Sequence, residues 1–289
     1  MRALVTGGVG FIGTNLIIRL LEDGHNVTSF DNYSTGRQEN EQDGCEYFKM
    51  DISKEFGFNR RFDVIFHLAA LPRIGPSFTN PKEVCDVNVG GTQNVLEYAR
   101  EHNTPVVYAG SSSFWGGVYK NPYTFSKWQG EELCKMYEQI YGSSITICRF
   151  YNVYGDFMST EGEYKLALSI FLEQYQNGKP LTITGDGEQR RDFTHVDDIV
   201  DAIIKVVKLN KWGSTYELGR GENHSINEVA EMFRFGDMPH DTPPIKYIDP
   251  IPGETRNTLC KSELARKKLN WKPKINLKDW IDERTNKKS

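Results

Sequence analysis

The run Leu4-Val5-Thr6-Gly7-Gly8-Val9-Gly10-Phe11-Ile12-Gly13 limits the possible folds of this chain more than any other segment. A short apolar run enters a cluster of glycines, and a helical pattern over residues 14–22 leaves it. Gly8, Gly10 and Gly13 have the spacing of a dinucleotide-binding turn. Such a turn must be tight, must let backbone approach a pyrophosphate, and must aim a helix N-terminus at the phosphate charge. A glycine pattern alone would carry little. Here the next strand-like run, residues 27–30, ends in Asp31, 18 residues after Gly13. A carboxylate at that place bonds ribose hydroxyls and repels a 2′-phosphate, so NAD is expected rather than NADP.

The rest of the first half repeats this alternation. Short apolar or β-branched runs at 3–5, 27–30, 64–66, 106–109 and 145–148 are separated in several places by helical patterns at 14–22, 83–101 and 125–141. Strand–helix alternation predicts an α/β fold: a Rossmann-type doubly wound parallel sheet with helices on both faces. After Tyr151 the texture changes. Glycines 155, 162, 178, 185 and 187 cut the chain into shorter pieces, and prolines gather over 241–252. We read residues 1–150 as the NAD-binding domain and 151–289 as a smaller mixed α/β substrate lobe, with chain exchange between the two expected.

Two further features point to chemistry. Tyr123 and Lys127 are four residues apart at the start of a helical pattern and share a face. An ammonium beside a phenol lowers its pKa, so Tyr123 could serve as a general base. Just before them, Ser111, Ser112 and Ser113 end the 106–109 strand, where side chains enter the ligand cleft. Either feature alone fits a surface helix pair or a turn; together, in this order, they describe an active site.

The glycine loop, Asp31, Asp51-Ile52, His67-Leu68-Ala69-Ala70, the serines, Tyr123…Lys127 and Arg149-Phe150-Tyr151-Asn152-Val153-Tyr154-Gly155 resemble the extended short-chain dehydrogenase/reductases. Within them the chain looks most like the NAD-dependent nucleotide-sugar 4-epimerases, over residues 1 to about 272. The resemblance implies roles. Gly7, Gly10, Phe11, Ile12 and Gly13 would lie by the pyrophosphate, and Asp31 and Asn32 by the adenosine ribose. Asp51 and Ile52 would hold the adenine; Leu68, Ala69, Ala70, Asn88 and Tyr151 would complete the cofactor cleft. Ser111 would bond the reacting hydroxyl, Tyr123 would be the base, and Lys127 would hold the nicotinamide ribose. Ser113, Asn152, Arg191, Arg256 and Thr258 would contact the substrate.

Three departures from that pattern stand out. Residues 116–122 are fewer than the family usual, which predicts a more open site. Ile251 occupies the place of a diphosphate-clamping arginine, leaving Arg256 or Arg73 to compensate. Trp115 replaces a tyrosine, which reads as a packing change. Counting seven places on from Ile251 gives Thr258 beside the sugar 2-substituent, a small residue that would admit an acetamido group; a one-residue slip would give Asn257 or Leu259.

Three reactions in this family begin with hydride removal to a 4-keto sugar. The 4,6-dehydratases and uronate decarboxylases carry a carboxylate after the active-site hydroxyl. This chain has Ser112-Ser113 there, and a hydroxyl cannot replace a carboxylate as proton acceptor near neutral pH. An epimerase is therefore the first reading, with those two reactions and a non-catalytic NAD-binding protein as alternatives. A net charge of −4 with no long basic run speaks against nucleic-acid or membrane-surface partners. Five scattered cysteines without a CxxC pair suggest reduced thiols, a cytoplasmic location and no metal site. The N-terminus does not read as a signal peptide. No stretch approaches the roughly 20 apolar residues of a membrane span. Apolar residues on the 83–101 and 125–141 patterns predict a homodimer, as in the family, unless those faces pack on their own sheet.

Overall fold

The computed structural model describes residues 1–54, 58–159, 165–234, 244–250 and 253–285. Gly162, Ile251 and the Lys287–Lys288 tail lie outside the described residues.

The five predicted strands form, as β1 (Arg2–Thr6), β2 (Asn26–Asp31), β4 (Val64–His67), β5 (Val106–Ser111) and β6 (Ile145–Phe150), and a further strand, β3 (Cys45–Lys49), lies between β2 and β4 in the chain. A seventh strand, Thr215–Leu218, completes a parallel sheet in the order seventh, β6, β5, β4, β1, β2, β3. The direction of winding reverses between β1 and β4. In open α/β sheets ligands bind beyond the strand ends at such a switch point. Thr6, the last residue of β1, is in register with Phe30 and His67, so these three strands end level there.

β3 and the seventh strand are not visible as apolar runs. Cys45–Lys49 is an edge strand with every residue partly or fully exposed, so no apolar face marks it. The seventh strand comes from beyond residue 150 and pairs Thr215 with Ile147 and Leu218 with Phe150.

Both faces of the sheet are covered. Leu16, Ile17 and Leu20 of the helix Phe11–Glu22 pack with Ile199, Ile203 and Val206 of the helix Val196–Lys208 on one face. Val95 and Tyr98 of the helix Thr92–His102 and Cys134 and Tyr137 of the helix Pro122–Tyr141 pack on the other. The 83–101 pattern is not one α-helix. It is Pro81–Cys85, a π-helical stretch Asp86–Gly91, and then Thr92–His102. π-bulges of this kind are rare and concentrate at functional sites.

The second half builds its own core from Tyr154, Phe171, Phe193, Phe233 and Trp280. Small strand pairs support it: Leu181–Thr184 with Ile245–Ile248, and Arg190–Asp192 with Asn223–Ser225. The buried Asp192 carboxylate binds this lobe together by accepting from the backbone N–H of Arg220, Gly221 and Cys260. No helix among the described residues is long and apolar enough to cross a membrane.

Candidate active site

A cleft of about 570 Å³ runs from the ends of β1, β2 and β4 across to the second lobe. That volume is in the range of small-molecule sites. Its walls include Gly7, Gly10, Phe11, Ile12 and Gly13, then Asp31, Asn32, Ile52, and Leu68 to Ala70. Ser111, Ser113, Tyr123, Lys127, Asn152, Arg191 and Thr258 line the same space. The structure thus brings together residues spread over more than 250 positions of sequence.

The glycine end is shaped for a phosphate. Gly7 has φ +77°, and a Cβ there would meet the Ala69 backbone nitrogen at 2.8 Å. A Cβ on Gly13 would lie 2.1 Å from the Gly7 carbonyl oxygen, so only glycine lets the helix pack on the turn. The helix Phe11–Glu22 starts from an extended Gly10 with no side-chain cap, leaving its first N–H groups for an anion. Asp31 ends β2. Its two carboxylate oxygens accept from Val9 N at 3.1 Å and Tyr33 N at 2.8 Å. Each oxygen keeps a lone pair for a ribose hydroxyl. Burial pushes this carboxyl above its ordinary value, and the two backbone N–H groups pull it back. These residues fit a dinucleotide, with the pyrophosphate at Gly7 to Gly13 and the ribose at Asp31.

Three residues expected at the cofactor stand behind the wall, not in it. Asn88 donates to the Leu71 carbonyl (3.2 Å) and to Ser126 Oγ (3.0 Å) and accepts from Leu71 N (2.8 Å). It fixes the wall segment after β4 to the helix Pro122–Tyr141. Asp51 turns to Ser53, accepting from its N–H and hydroxyl. Tyr151 is buried, and its hydroxyl donates to Glu217 Oε2 at 3.3 Å.

At the reaction end, Asn121 caps the helix Pro122–Tyr141 by accepting from Thr124 N at 2.8 Å. The cap fixes the first turn, so Tyr123 projects toward β5. Tyr123 Oη donates to Ser111 Oγ at 3.4 Å, and the Ser111 and Ser113 hydroxyls are 2.9 Å apart. Burial raises the phenol above its ordinary pKa, while Ser111 and the Arg73 guanidinium pull it down. Lys127 rests its ammonium over the Tyr108 ring, 4.4 Å from the centroid. Burial lowers this ammonium to about 8, with Glu131 acting in opposition. Arg73 lines the cleft near the phenol and was considered from sequence only as a phosphate ligand.

On the substrate side, Asn152 Nδ2 donates to Thr258 Oγ1 at 3.0 Å, and Asp192 N donates to the same oxygen at 3.3 Å. Thr258 therefore faces the cleft, whereas Asn257 pairs outward with Asn223. Arg191 lines the cleft and pairs with Glu254 at 2.5 Å. Arg256 corrects the sequence reading. Its guanidinium is exposed and holds both oxygens of Asp186 at 2.8 Å, turned away from the cleft. Thr255 and Thr258, on either side of it in the chain, line the cleft instead.

The short 116–122 segment does not leave a gap. A Cβ on Gly116 would lie 2.2 Å from Thr255 Oγ1, and one on Gly253 would lie 3.4 Å from the Lys120 carbonyl oxygen. The two loops close directly on each other. Trp115 is not a core residue, being 60% exposed. Its indole N–H donates to Glu217 Oε1 at 2.6 Å, which anchors the serine loop to the last strand of the sheet. Glu217 had no motif to reveal it.

The profile of the family described as the NAD dependent epimerase/dehydratase family matches residues 3–219. A putative UDP-glucose 4-epimerase of Methanocaldococcus jannaschii is 32% identical over 96% of this chain and 95% of its own length. A UDP-glucose 4-epimerase of Mycolicibacterium smegmatis is 33% identical over 97% of this chain and 96% of its own. Among solved structures, the UDP-glucose 4-epimerase of Thermotoga maritima with UDP-glucose superposes with a TM-score of 0.90 at 27% identity, covering 99% of this chain and 98% of the other.

Proposed function

The chain belongs to the NAD dependent epimerase/dehydratase family, and from that premise we propose that it is a 4-epimerase of a UDP-hexose or UDP-N-acetylhexosamine, working through a transient 4-keto sugar. The observation that carries this reading is the Tyr123–Ser111 contact, with hydroxyls and no carboxylate in the two following positions. Tyr123 Oη takes the proton of the sugar 4-hydroxyl and later gives it back; Ser111 Oγ holds the oxygen while its charge changes. NAD held between the turn at residues 7–13 and Asp31 would supply the acceptor for the C4 hydride and the donor for its return to either face. With serines in the two positions after Ser111, the carboxylate that the dehydratases and decarboxylases carry there is replaced by hydroxyls, which disfavours those two readings.

Arg191 is the diphosphate ligand in this reading, exchanging its bond to Glu254 for phosphate oxygens. Lys127 donates to the nicotinamide ribose, and Asn152, Ser113 and Thr258 frame the sugar. We place the enzyme in the cytoplasm as a homodimer.

The test is a screen of UDP-hexoses and their N-acetyl forms, with NMR of the products, on wild type and Tyr123→Phe. Wild type should interconvert a 4-epimer pair. The variant should lose about 10²–10⁴-fold in turnover while still releasing NAD on denaturation. Turnover near normal in Tyr123→Phe, a dehydrated or decarboxylated product, or NADP as the bound nucleotide would refute the proposal. Bound NAD with no turnover of any UDP-sugar would favour a non-catalytic role.

A further inference from the structure

The loop after β4 places a strained cation in the reaction end of the cleft. Arg73 has φ +119° and ψ 136°, a backbone conformation rare for any residue with a side chain. Observed strain of this kind is retained where the surroundings enforce it, and it concentrates at functional sites. The enforcing contacts lie on both sides. Before Arg73, Asn88 grips Leu71 through both its backbone N–H and its carbonyl. After it, Ser77 Oγ donates to the Ile74 carbonyl at 2.6 Å and sets the start of the helix Ile74–Thr79. Pro72 stiffens the link between the two anchors. The anchors hold the Arg73 backbone in a conformation it would not choose, and its side chain lines the same cleft as Tyr123, Ser111 and Ser113.

The geometry also shows why the phenol needs such a neighbour. Lys127, four residues on from Tyr123, has its ammonium on the face of the Tyr108 ring and Glu131 as its carboxylate neighbour. From its own helix, Tyr123 is accompanied by Lys127 and Glu131; from β5, by Ser111 and Tyr108. Across the cleft, the only charged wall groups besides Arg73 on the substrate side are Lys165, Arg191 and Glu254, among the described residues. Lys165 is paired with Glu173 and Arg191 with Glu254. Arg73 lines the same cleft as the phenol and comes to it from outside its helix, and its charge favours the phenolate.

We propose that Arg73 is a positioning residue for the reaction, a second cation that holds the Tyr123 oxygen in its proton-accepting form and leaves Lys127 to the ribose. This rests on Tyr123 being the base, as argued above. The step it assists transfers one proton from the sugar 4-hydroxyl to Tyr123 Oη, and Arg73 itself gains and loses nothing.

The test is the pH dependence of Tyr123, read in two ways on the NAD-loaded protein. One is the pH profile of turnover. The other is an ultraviolet tyrosinate titration with the Tyr123→Phe protein subtracted. Arg73→Gln should raise the Tyr123 midpoint and the acidic limb of the profile together by about one pH unit, the usual effect of removing a nearby opposite charge. Arg73→Lys should restore most of it. Arg73→Gly removes the charge and relieves the positive φ, so it should fold at least as well as wild type and shift the midpoint like the Gln variant. An unmoved midpoint in the Gln and Gly variants, or a Lys variant that matches Gln, would overturn the assignment. If the tyrosinate midpoint shifts as expected in a protein that turns over no UDP-sugar, the role of Arg73 stands and the proposed reaction falls.

Discussion

Thr258 shows how one small side chain can select substrates. Its hydroxyl is held by Asn152 and the Asp192 backbone, and the residue lines the cleft with a small side chain. Acetamido sugars should therefore turn over at least comparably with UDP-glucose or UDP-galactose. Thr258→Tyr should lower kcat/KM for the acetamido substrates relative to the others by about tenfold or more, since added bulk in a pocket acts on the substrate that needs the room. Equal losses on both classes would show that the site simply distorts. His67 makes a different point. It is fully buried between the Thr6 and Thr92 hydroxyls, at 2.8 and 3.0 Å, with burial and then the Lys127 charge lowering it to about 3. As pH falls below the ordinary imidazole value of 6.5, the unfolded chain binds this proton and the folded chain does not. Stability is full above that value and falls toward pH 3, by up to about 1.4 kcal/mol per pH unit. Urea melts between about pH 7 and 4 should show this slope, and His67→Gln should flatten it. An identical slope in the variant would mean that other groups carry it. The placement of Ser111 and Tyr123 in the cleft was legible because a strand end and a helix start announce it locally. The placement of Arg73, and of Arg256 outside the cleft, was not, since each depends on how a loop is held by distant residues.

At the scale of elements, the helix Pro122–Tyr141, β6 and the seventh strand are joined by one buried ionic cluster. Arg149 donates to Glu131 from Nε at 3.0 Å and Nη2 at 2.6 Å, and from Nη1 to Glu217 at 3.3 Å. Its guanidinium lies 3.9 Å from the Phe114 ring centroid, so the serine loop rests on the same cluster. The Glu131 side chain is 1% exposed and that of Arg149 8%. Glu131→Leu should lower the unfolding free energy by about 3 kcal/mol, because a buried cation loses its main partner. Adding Arg149→Met should recover most of that loss in urea denaturation. A single variant within about 1 kcal/mol of wild type would mean that Glu217 alone suffices. The sequence pattern shows the strands that carry apolar runs, β1, β2, β4, β5 and β6. It hides Cys45–Lys49, whose residues are all partly or fully exposed, and Thr215–Leu218, only four residues long with a glutamate inside. It also hides the break in the 83–101 helix, since a π-helical stretch depends on the neighbours that stabilise it and not on periodicity.

At the scale of the whole molecule, the homodimer proposed above would use the outer side of the helix Pro122–Tyr141. Of the apolar residues on the two helical patterns, Val95, Leu96, Tyr98 and Tyr137 pack on their own sheet. Phe125 and Ile140 share the opposite side, and Ile140 is 64% exposed. Light scattering at micromolar concentration should give twice the 33.1 kDa chain mass, and Ile140→Lys should shift it toward one. A monomeric wild type would refute pairing. The parallel sheet was readable as a plan, because alternating strands and helices admit few others. Its closure was not. The seventh strand covers the outer rim of β6 yet lies some 65 residues further along the chain. During synthesis, therefore, β6 emerges well before its partner, and for that interval the nascent chain shows an unpaired parallel edge. Such edges recruit strands from other chains. Between Phe150 and Leu218, the order of synthesis alone leaves that edge open, whatever the stability of the finished sheet.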